Sequence, residues 1–277
     1  SSDLKNNTQT CTNEDIEVVY NLVNYYKRIP NYATIKTLPE ENAQYIKEGF
    51  PTVINCASML KLCRELTSVD TTEWDTSKIE SMSLMFYACE ALTTLDVSKW
   101  DTSKVTNMSC MFSDCHALTT LDVSNWDISN VTDIFCLFDG CSSLTNLDVS
   151  KWNTSKAYDM ASIFNNCKSL TNLDVSKWNT NNVIDMYSMF SGCSELKTLD
   201  ISDWNTSNVK YMHCMFNDCK ELTTIKGIID MKSCDSCDDM FRDCTKLRGV
   251  KIKNPPSGIT ATSGIGGLAA GKYEIVS

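Results

Sequence analysis

The sequence has little of what most catalytic sites need. Its 277 residues include only two histidines, His116 and His213, so a Ser/His/Asp or Cys/His constellation has almost nothing to draw on. It has no cluster of lysine or arginine, and its formal net charge is −10, which argues against nucleic-acid binding because that rests on a basic surface. No apolar run approaches the roughly 20 residues of a membrane span. We therefore expect no nucleic-acid partner, no membrane insertion, no metal and no cofactor.

What the sequence does have is a repeat. All the tryptophans are 26 residues apart, and a cysteine column and a phenylalanine column keep the same step until it shortens by one residue in the last unit. The columns are Trp74, Trp100, Trp126, Trp152, Trp178 and Trp204; Cys63, Cys89, Cys115, Cys141, Cys167, Cys193, Cys219 and Cys244; and Phe86, Phe112, Phe138, Phe164, Phe190, Phe216 and Phe241. A fixed period of about 20 to 50 residues is typical of a solenoid, in which each unit buries its apolar face against its neighbours. The sequence therefore predicts one elongated domain.

Each unit divides into two halves with different hydrophobic periods. In the unit LTTLDVSKWDTSKVTNMSCMFSDCHA, residues 94–97 alternate between polar and apolar, which predicts a short strand. Val105, Met108 and Phe112 follow at intervals of three and four, which predicts a helix of about three turns, capped by the polar residues 101–103. The predicted fold class is an α/β solenoid: a right-handed coil of about eight strand-plus-helix units of 25–26 residues, with a parallel sheet on one side.

The two ends of the chain depart from the repeat, as the ends of a solenoid must if they are not to aggregate. Residues 1–52 are expected to form an N-terminal tail and a capping helix, because residues 14–29 have amphipathic spacing and stop before a proline. Residues 53–253 form the repeat array. Residues 254–277 are expected to form a C-terminal cap, in which a loop leads to a last short strand that closes the sheet edge.

The repeated pattern LTxLDVSxWxTSxVxxMxxMFxxC, over residues 53–253, resembles the BspA-like leucine-rich-repeat surface proteins. That resemblance implies a leucine-rich-repeat-like solenoid and an extracellular or bacterial cell-surface location, or a place on a phage virion. It also implies a role in adhesion or host recognition, with a protein or glycan on a host or neighbouring cell as the partner. The unit that starts at Leu222 departs from the pattern, since it lacks the tryptophan and the aspartate.

The 15 cysteines could form a disulfide framework or a set of buried thiols. Coils stacked about 4.7–4.9 Å apart on the strand side place column neighbours beyond the Cβ separation of about 3.5–4.5 Å that a disulfide needs, so we expect a reduced structural ladder. Cys110, Cys136 and Cys214 share a column that also accepts serine and aspartate, which predicts partial exposure. Cys234 and Cys237 have the C-x2-C spacing of a zinc pair, but they fall in columns of inward apolar residues, which favours packing.

The tryptophan column has two interpretations. It could offer a stacking platform for a sugar or a nucleobase, or it could pack in the core. Its constant spacing directly after the strand favours the core, because leucine-rich repeats keep an inward residue at that place.

An aspartate column on the predicted strand face is the candidate binding site. It consists of Asp70, Asp96, Asp122, Asp148, Asp174 and Asp200. Carboxylates about 5 Å apart repel each other by about 1 kcal/mol even at the dielectric of water. Either nearby lysines, stacked neighbours or backbone turns compensate for this locally, or the column attracts a basic surface or cations.

Two classes of function remain. The first is a non-enzymatic recognition or adhesion module that binds a protein or glycan through the strand face. The second is a thiol-dependent or metal-binding protein that uses exposed cysteines, among them the unmatched Cys11. The sequence favours the first class, because it offers no histidine-paired nucleophile, no carboxylate pair at a pocket and no glycine-rich phosphate loop.

Overall fold

The computed structural model describes residues 55–71, 74–260 and 264–277. The predicted capping helix at residues 14–29, the rest of the segment 1–52 and Cys11 lie outside the described residues. Within them, successive units stack as parallel coils over one continuous hydrophobic core that runs from Cys56 to Tyr273.

Five short strands lie toward the C-terminal end of the described chain. They are β1 (Thr198–Asp200), β2 (Thr224–Lys226), β3 (Ile228–Asp230), β4 (Val250–Lys253) and β5 (Tyr273–Val276). Strand β1 pairs in parallel with β2, and β3, β4 and β5 form a second parallel sheet in that order. Val250 is in register with Tyr273, so the last strand of the chain lies at the edge of this sheet.

The earlier coils are joined by isolated parallel bridges in two ladders. The first ladder includes the bridges Ser68–Thr94 and Thr120–Asn146 and continues into the pairing of β1 with β2. We call the surface along it the strand face. The second ladder runs through Asn55, Ser81, Asn107, Asp133, Asp159, Asp185, Tyr211 and Ser236. Its last step is one residue shorter than the others, so the deletion in the final unit is absorbed without breaking the ladder.

The helices predicted for the second half of each unit are wrong: the described residues contain none. Between residues 82 and 89 every second N–H points along the stack, so Leu84 N donates to Ser109 O at 2.9 Å and Phe86 N to Met111 O at 2.9 Å. The N–H groups of Met85, Tyr87 and Cys89 each donate to the carbonyl three residues earlier and close four-residue turns within the coil. Leu84 has a φ of 58°, which interrupts any α-helix because left-handed residues cannot continue one. Each predicted helix is therefore a ladder of turns.

A second left-handed position recurs four residues after the first. It is occupied by Leu62, Ala88, Asp114, Gly140, Asn166, Gly192, Asp218 and Asp243. Aspartate, asparagine and glycine are the residues that adopt this conformation most readily. Their recurrence in one column is the sequence signal for turns. The spacing of three and four between buried residues does not separate turns from a helix, because both bury the same positions.

The residues predicted to cap the helices have other partners. Asp101 Oδ1 accepts the N–H of Ser103 at 2.9 Å, which closes a local turn. The hydroxyl of Thr102 donates to the carbonyl of Asp127 in the next coil at 2.9 Å, and Thr154 and Thr180 make the same bond at 3.0 Å. These polar residues join neighbouring coils, and their threonines are buried.

Two stacks of aromatic rings run through the core. Neighbouring tryptophans have ring centroids 5.8–6.5 Å apart, and neighbouring phenylalanines 5.6–5.9 Å. The tryptophans are only 1–7% exposed, so their core role is confirmed and a ligand-stacking platform is excluded. Stacking at these distances is favourable beyond the area that the rings bury.

Candidate functional site

The predicted aspartate column lies along the strand face, and each of its middle members is held in the same way. Asp96 Oδ1 accepts both the backbone N–H of Ser98 at 3.0 Å and its hydroxyl at 2.6 Å. Asp122, Asp148 and Asp174 bind the serine two residues later with distances of 3.0–3.1 Å and 2.7 Å. Asp70 and these four residues are exposed, so the structure brings the predicted column together as a row of like-oriented carboxylates.

At two positions of the row the serine bonds favour the ionised carboxylate. Hydrogen bonds from Ser98 lower the pKa of Asp96, and those from Ser150 lower the pKa of Asp148. At these two positions the local bonds therefore outweigh the repulsion between neighbouring carboxylates. Backbone turns supply this compensation, one of the alternatives that the sequence left open.

A lysine contributes directly at the C-terminal end of the row. Lys226 Nζ lies 2.7 Å from Asp200 Oδ2, and this bond, with those from Ser202, lowers the pKa of Asp200 to about 2. Lys177 instead pairs with Asp203, outside the column, at 2.7 Å.

An open depression of about 560 Å³ lies over the middle of the strand face. Its floor is made by Leu95 and Leu121, and Asp96, Asp122 and Asp148 stand along it. A partner could therefore meet a shallow apolar floor beside a row of negative charge. The depression is broad enough for side chains of a protein or for sugar units, but its geometry alone does not select between them.

The cysteine column belongs to the scaffold. Its thiols are free and buried, and the Sγ of Cys115 donates to the carbonyl of Phe86 at 3.2 Å, a bond that recurs from Cys89 to Cys244. Burial raises the pKa of Cys115 and Cys141 well above the ordinary value. These thiols are therefore poor nucleophiles.

The other cysteines are more varied than the sequence predicted. Cys110 and Cys214 are half-buried as expected, but Cys136 is buried, so its predicted exposure is wrong. Cys234 and Cys237 pack against the core yet remain half-buried, because they lie in the last, degenerate unit. A hydrogen bond from Cys234 lowers the pKa of Cys237 to about 7. No group of three or more histidine, cysteine or acidic residues in the described part of the chain could hold a metal ion.

The sequence reasoning missed a second surface, beside the second ladder. Here Phe135, Tyr158, Ile184, Tyr187 and Tyr211 are large side chains exposed by 37–46%, and we call them the aromatic surface. The signal was present in the sequence, because these residues interrupt columns that hold serine, threonine and asparagine in earlier coils. These residues depart from the repeat, so the repeat pattern does not predict them.

Comparison with known proteins places this chain in a family. A family model described as "Mycoplasma protein of unknown function, DUF285" matches residues 54–172 and again residues 137–254. No curated protein matches the sequence. Among solved structures, a crystal structure of a TLR13–ssRNA13 complex is similar with a TM-score of 0.30 and 13% identity, over 84% of this chain and 44% of that one. This chain thus spans less than half the length of that TLR13 chain.

Nowhere in the described residues is there a helix long and apolar enough to cross a bilayer. The two family matches together cover residues 54–254, well over half of the sequence, and the chain belongs to the DUF285 family.

Proposed function

We propose that this repeat array is a BspA-like, leucine-rich-repeat-like right-handed solenoid that acts as a non-enzymatic recognition or adhesion module. It binds a protein or glycan partner through the strand face. Its place of action is the extracellular medium, the bacterial cell surface or a phage virion. Cations are a second class of ligand for the carboxylates of this face.

One observation carries the proposal: the carboxylates of Asp96, Asp122, Asp148 and Asp174 are exposed and oriented alike by the same serine bonds. Each serine donates to the Oδ1 atom, and the four aspartates are exposed in a row with the coil spacing. A rigid row of charge loses little conformational entropy on binding, and it attracts a partner of opposite charge. Polar atoms of the interior columns, such as Cys115 Sγ and Trp178 Nε1, bond instead to neighbouring coils.

The test is a binding screen of the protein against host-surface proteins and glycans, followed by the triple substitution Asp122→Asn, Asp148→Asn and Asp174→Asn. Asparagine keeps the oxygen that accepts the serine bonds, so the variant is expected to fold. We expect it to lose at least about tenfold in affinity and to lose the salt dependence of binding, since the exposed charges supply attraction that salt screens.

A matched control carries the same number of Asp→Asn changes in the second ladder, at Asp133, Asp159 and Asp185. It keeps the overall change in net charge but leaves the strand face intact. Unaltered affinity of the strand-face variant for a partner identified in the screen would contradict the proposal, as would unfolding of that variant.

A further inference from the structure

The aromatic surface covers four consecutive coils beside the second ladder. Tyr158 N donates to Thr132 O at 3.2 Å and Ile184 N to Tyr158 O at 3.0 Å, so Tyr158 and Ile184 are direct neighbours along the stack. The ring of Tyr187 lies 4.2 Å from that of His213 in the next coil. Exposed apolar side chains are therefore adjacent along this part of the stack.

Coil stacking does not require these side chains. The position of Tyr158 and Ile184 holds Thr106 and Thr132 in the two preceding coils, which stack in the same way. The position of Phe135 and Tyr187 holds Ser83 and Ser109 in two earlier coils and Ala161 in the coil between them. Because the earlier coils stack with small polar residues at these positions, stacking does not account for the exposed rings.

A row of carboxylates runs through the middle of this region. Asp133, Asp159 and Asp185 are consecutive members of the second ladder. The Oδ1 atom of each accepts the N–H two residues later, at 3.0, 2.9 and 2.8 Å. No other hydrogen bond from a residue that the structure describes reaches these three carboxylates, so the Oδ2 atoms are open to a partner.

These carboxylates differ from those of the strand face in their surroundings. They are half-buried among the neighbouring rings, and desolvation raises the pKa of Asp133 and Asp159. Asp133 and Asp185 also repel Asp159. A cation bound against the row would offset both the desolvation of these carboxylates and their mutual repulsion. A neutral ligand would only add to the desolvation.

We propose that the aromatic surface and its carboxylate row bind a basic polypeptide segment, whose arginine side chains pair with the carboxylates and lie against the rings. Charge complementarity selects this occupant: the row is anionic, and the whole chain has a net charge of −10. A guanidinium group suits the site because it forms planar bonds to a carboxylate and also stacks on aromatic faces. Ala161, which is small and buried, lies between Phe135 and Tyr187 in the stack.

This inference extends the proposed recognition role to a second surface and to a stated partner class. None of its residues lies on the strand face, so the two proposals can fail separately.

The test uses a labelled short peptide of alternating arginine and serine, with a citrulline–serine peptide as its neutral counterpart. Two variants of the full chain remove the site: Asp133→Asn with Asp159→Asn and Asp185→Asn, and Phe135→Ser with Tyr158→Thr and Tyr187→Ser. Each new residue already occupies the same column in another coil, as Asn107, Thr132 and Ser109 do, so both variants are expected to fold. If either triple variant has a lower melting temperature than the wild type, the single change Asp159→Asn or Tyr158→Thr replaces it.

We expect the arginine peptide to bind the wild type and the citrulline peptide not to. Each triple variant should lose at least about tenfold in affinity, while the strand-face variant at Asp122, Asp148 and Asp174 should stay within about twofold. Equal loss in the two Asp→Asn variants, with unchanged affinity in the ring variant, would mean attraction by net charge alone and would overturn the proposal. Unchanged affinity in both the Asp133/Asp159/Asp185 variant and the ring variant would also overturn it. So would binding of a neutral glycan that the ring variant abolishes, or a wild-type dimer that the ring variant converts to monomer.

Discussion

The indole Nε1 of Trp126 donates a hydrogen bond to the carbonyl oxygen of Val97, one coil earlier, at 3.1 Å. Trp152, Trp178 and Trp204 repeat this bond at 2.9–3.3 Å. Trp100 is the exception within the described residues, because its buried indole N–H has no hydrogen-bond partner. The tryptophan column thus stabilises the stack both by packing and by a polar bond between coils.

This difference gives a matched pair of substitutions. Trp126→Phe removes ring volume and the indole hydrogen bond to the Val97 carbonyl, which keeps the backbone N–H of Trp100 as a donor. Trp100→Phe removes similar volume together with an unsatisfied N–H. We expect Trp126→Phe to lower the free energy of unfolding by about 1 kcal/mol more than Trp100→Phe does. Denaturant unfolding of the two variants measures it, and equal losses would show that the bond contributes nothing to stability.

Cys141→Ser tests whether the cysteine column acts as buried, reduced thiols. The Sγ of Cys141 donates to the carbonyl of Phe112 at 3.2 Å, and a shorter hydroxyl reaches that carbonyl poorly. We expect a loss of roughly 1–3 kcal/mol, because the buried hydroxyl is left poorly satisfied. Reductant should leave the melting temperature of the wild type unchanged. A large fall on adding reductant, with linked column cysteines seen by mass spectrometry, would instead establish disulfides.

Much of the architecture could be predicted from the columns. The period of 26 residues indicates stacked units, and the buried tryptophans and phenylalanines lie where their spacing placed them. The predicted helices failed for a physical reason: an interval of three and four residues describes which side chains are buried, and both a helix and a ladder of turns bury that set. Only the backbone conformation separates the two, and Asp114, Gly140 and Asn166 in one column signalled it.

The candidate site was predictable in part for a similar reason. The repeat predicts where the aspartates of the strand face lie. It does not predict whether their charge is compensated, because the serine bonds depend on the conformation of the turn. The aromatic surface breaks the pattern instead of following it. The burial of Asp133 and Asp159 depends on neighbours in other coils, which no local pattern reveals.

Gly140→Ala distinguishes the turn ladder from a helix by the sign of its effect. In a helix, alanine is more stable than glycine by about 0.5–1 kcal/mol. Gly140 has a φ of 72°, and an added Cβ would lie 2.7 Å from Asp114 Oδ1. We expect a loss of about 1–2 kcal/mol, measured by denaturant unfolding. Gly249→Ala is the control, since its φ of 66° imposes strain while its Cβ would meet nothing within 4 Å. A stabilised Gly140→Ala variant would support the helix.

Asp159 and Asp148, one from each carboxylate row, are expected to respond to pH with opposite signs. The raised pKa of Asp159 means that the folded state binds its proton more readily than the unfolded state, so stability falls as pH rises from about 3.9 through the raised value. Asp159→Asn removes this cost and should raise stability at pH 7 by less than about 1 kcal/mol, because solvent screens a half-buried group. The gain should vanish near pH 3.

Asp148 is the matched control for this titration. Its pKa is lowered, so its contribution is present above the ordinary pKa of about 3.9 and is lost as pH falls through the folded value. Asp148→Asn should therefore lower the melting temperature slightly at pH 7 and have no effect at low pH. Thermal melts of both variants across this range check the signs, and a stabilising Asp148→Asn at pH 7 would mean that repulsion outweighs the serine bonds.

Hydrogen–deuterium exchange tests most directly whether the outward rows, and not the interior columns, bind partners. The protein would be measured alone, with the arginine–serine peptide, and with a partner from the surface screen. We expect the peptide to slow exchange at residues 133–135, 159–161 and 185–187, and the partner to slow it along residues 94–98 and 120–124. The rest of the turn ladder, residues 136–141, 162–167 and 188–193, should be unchanged. Protection confined to those residues or to Cys234 and Cys237, or no protection by either ligand, would contradict a recognition role for these surfaces.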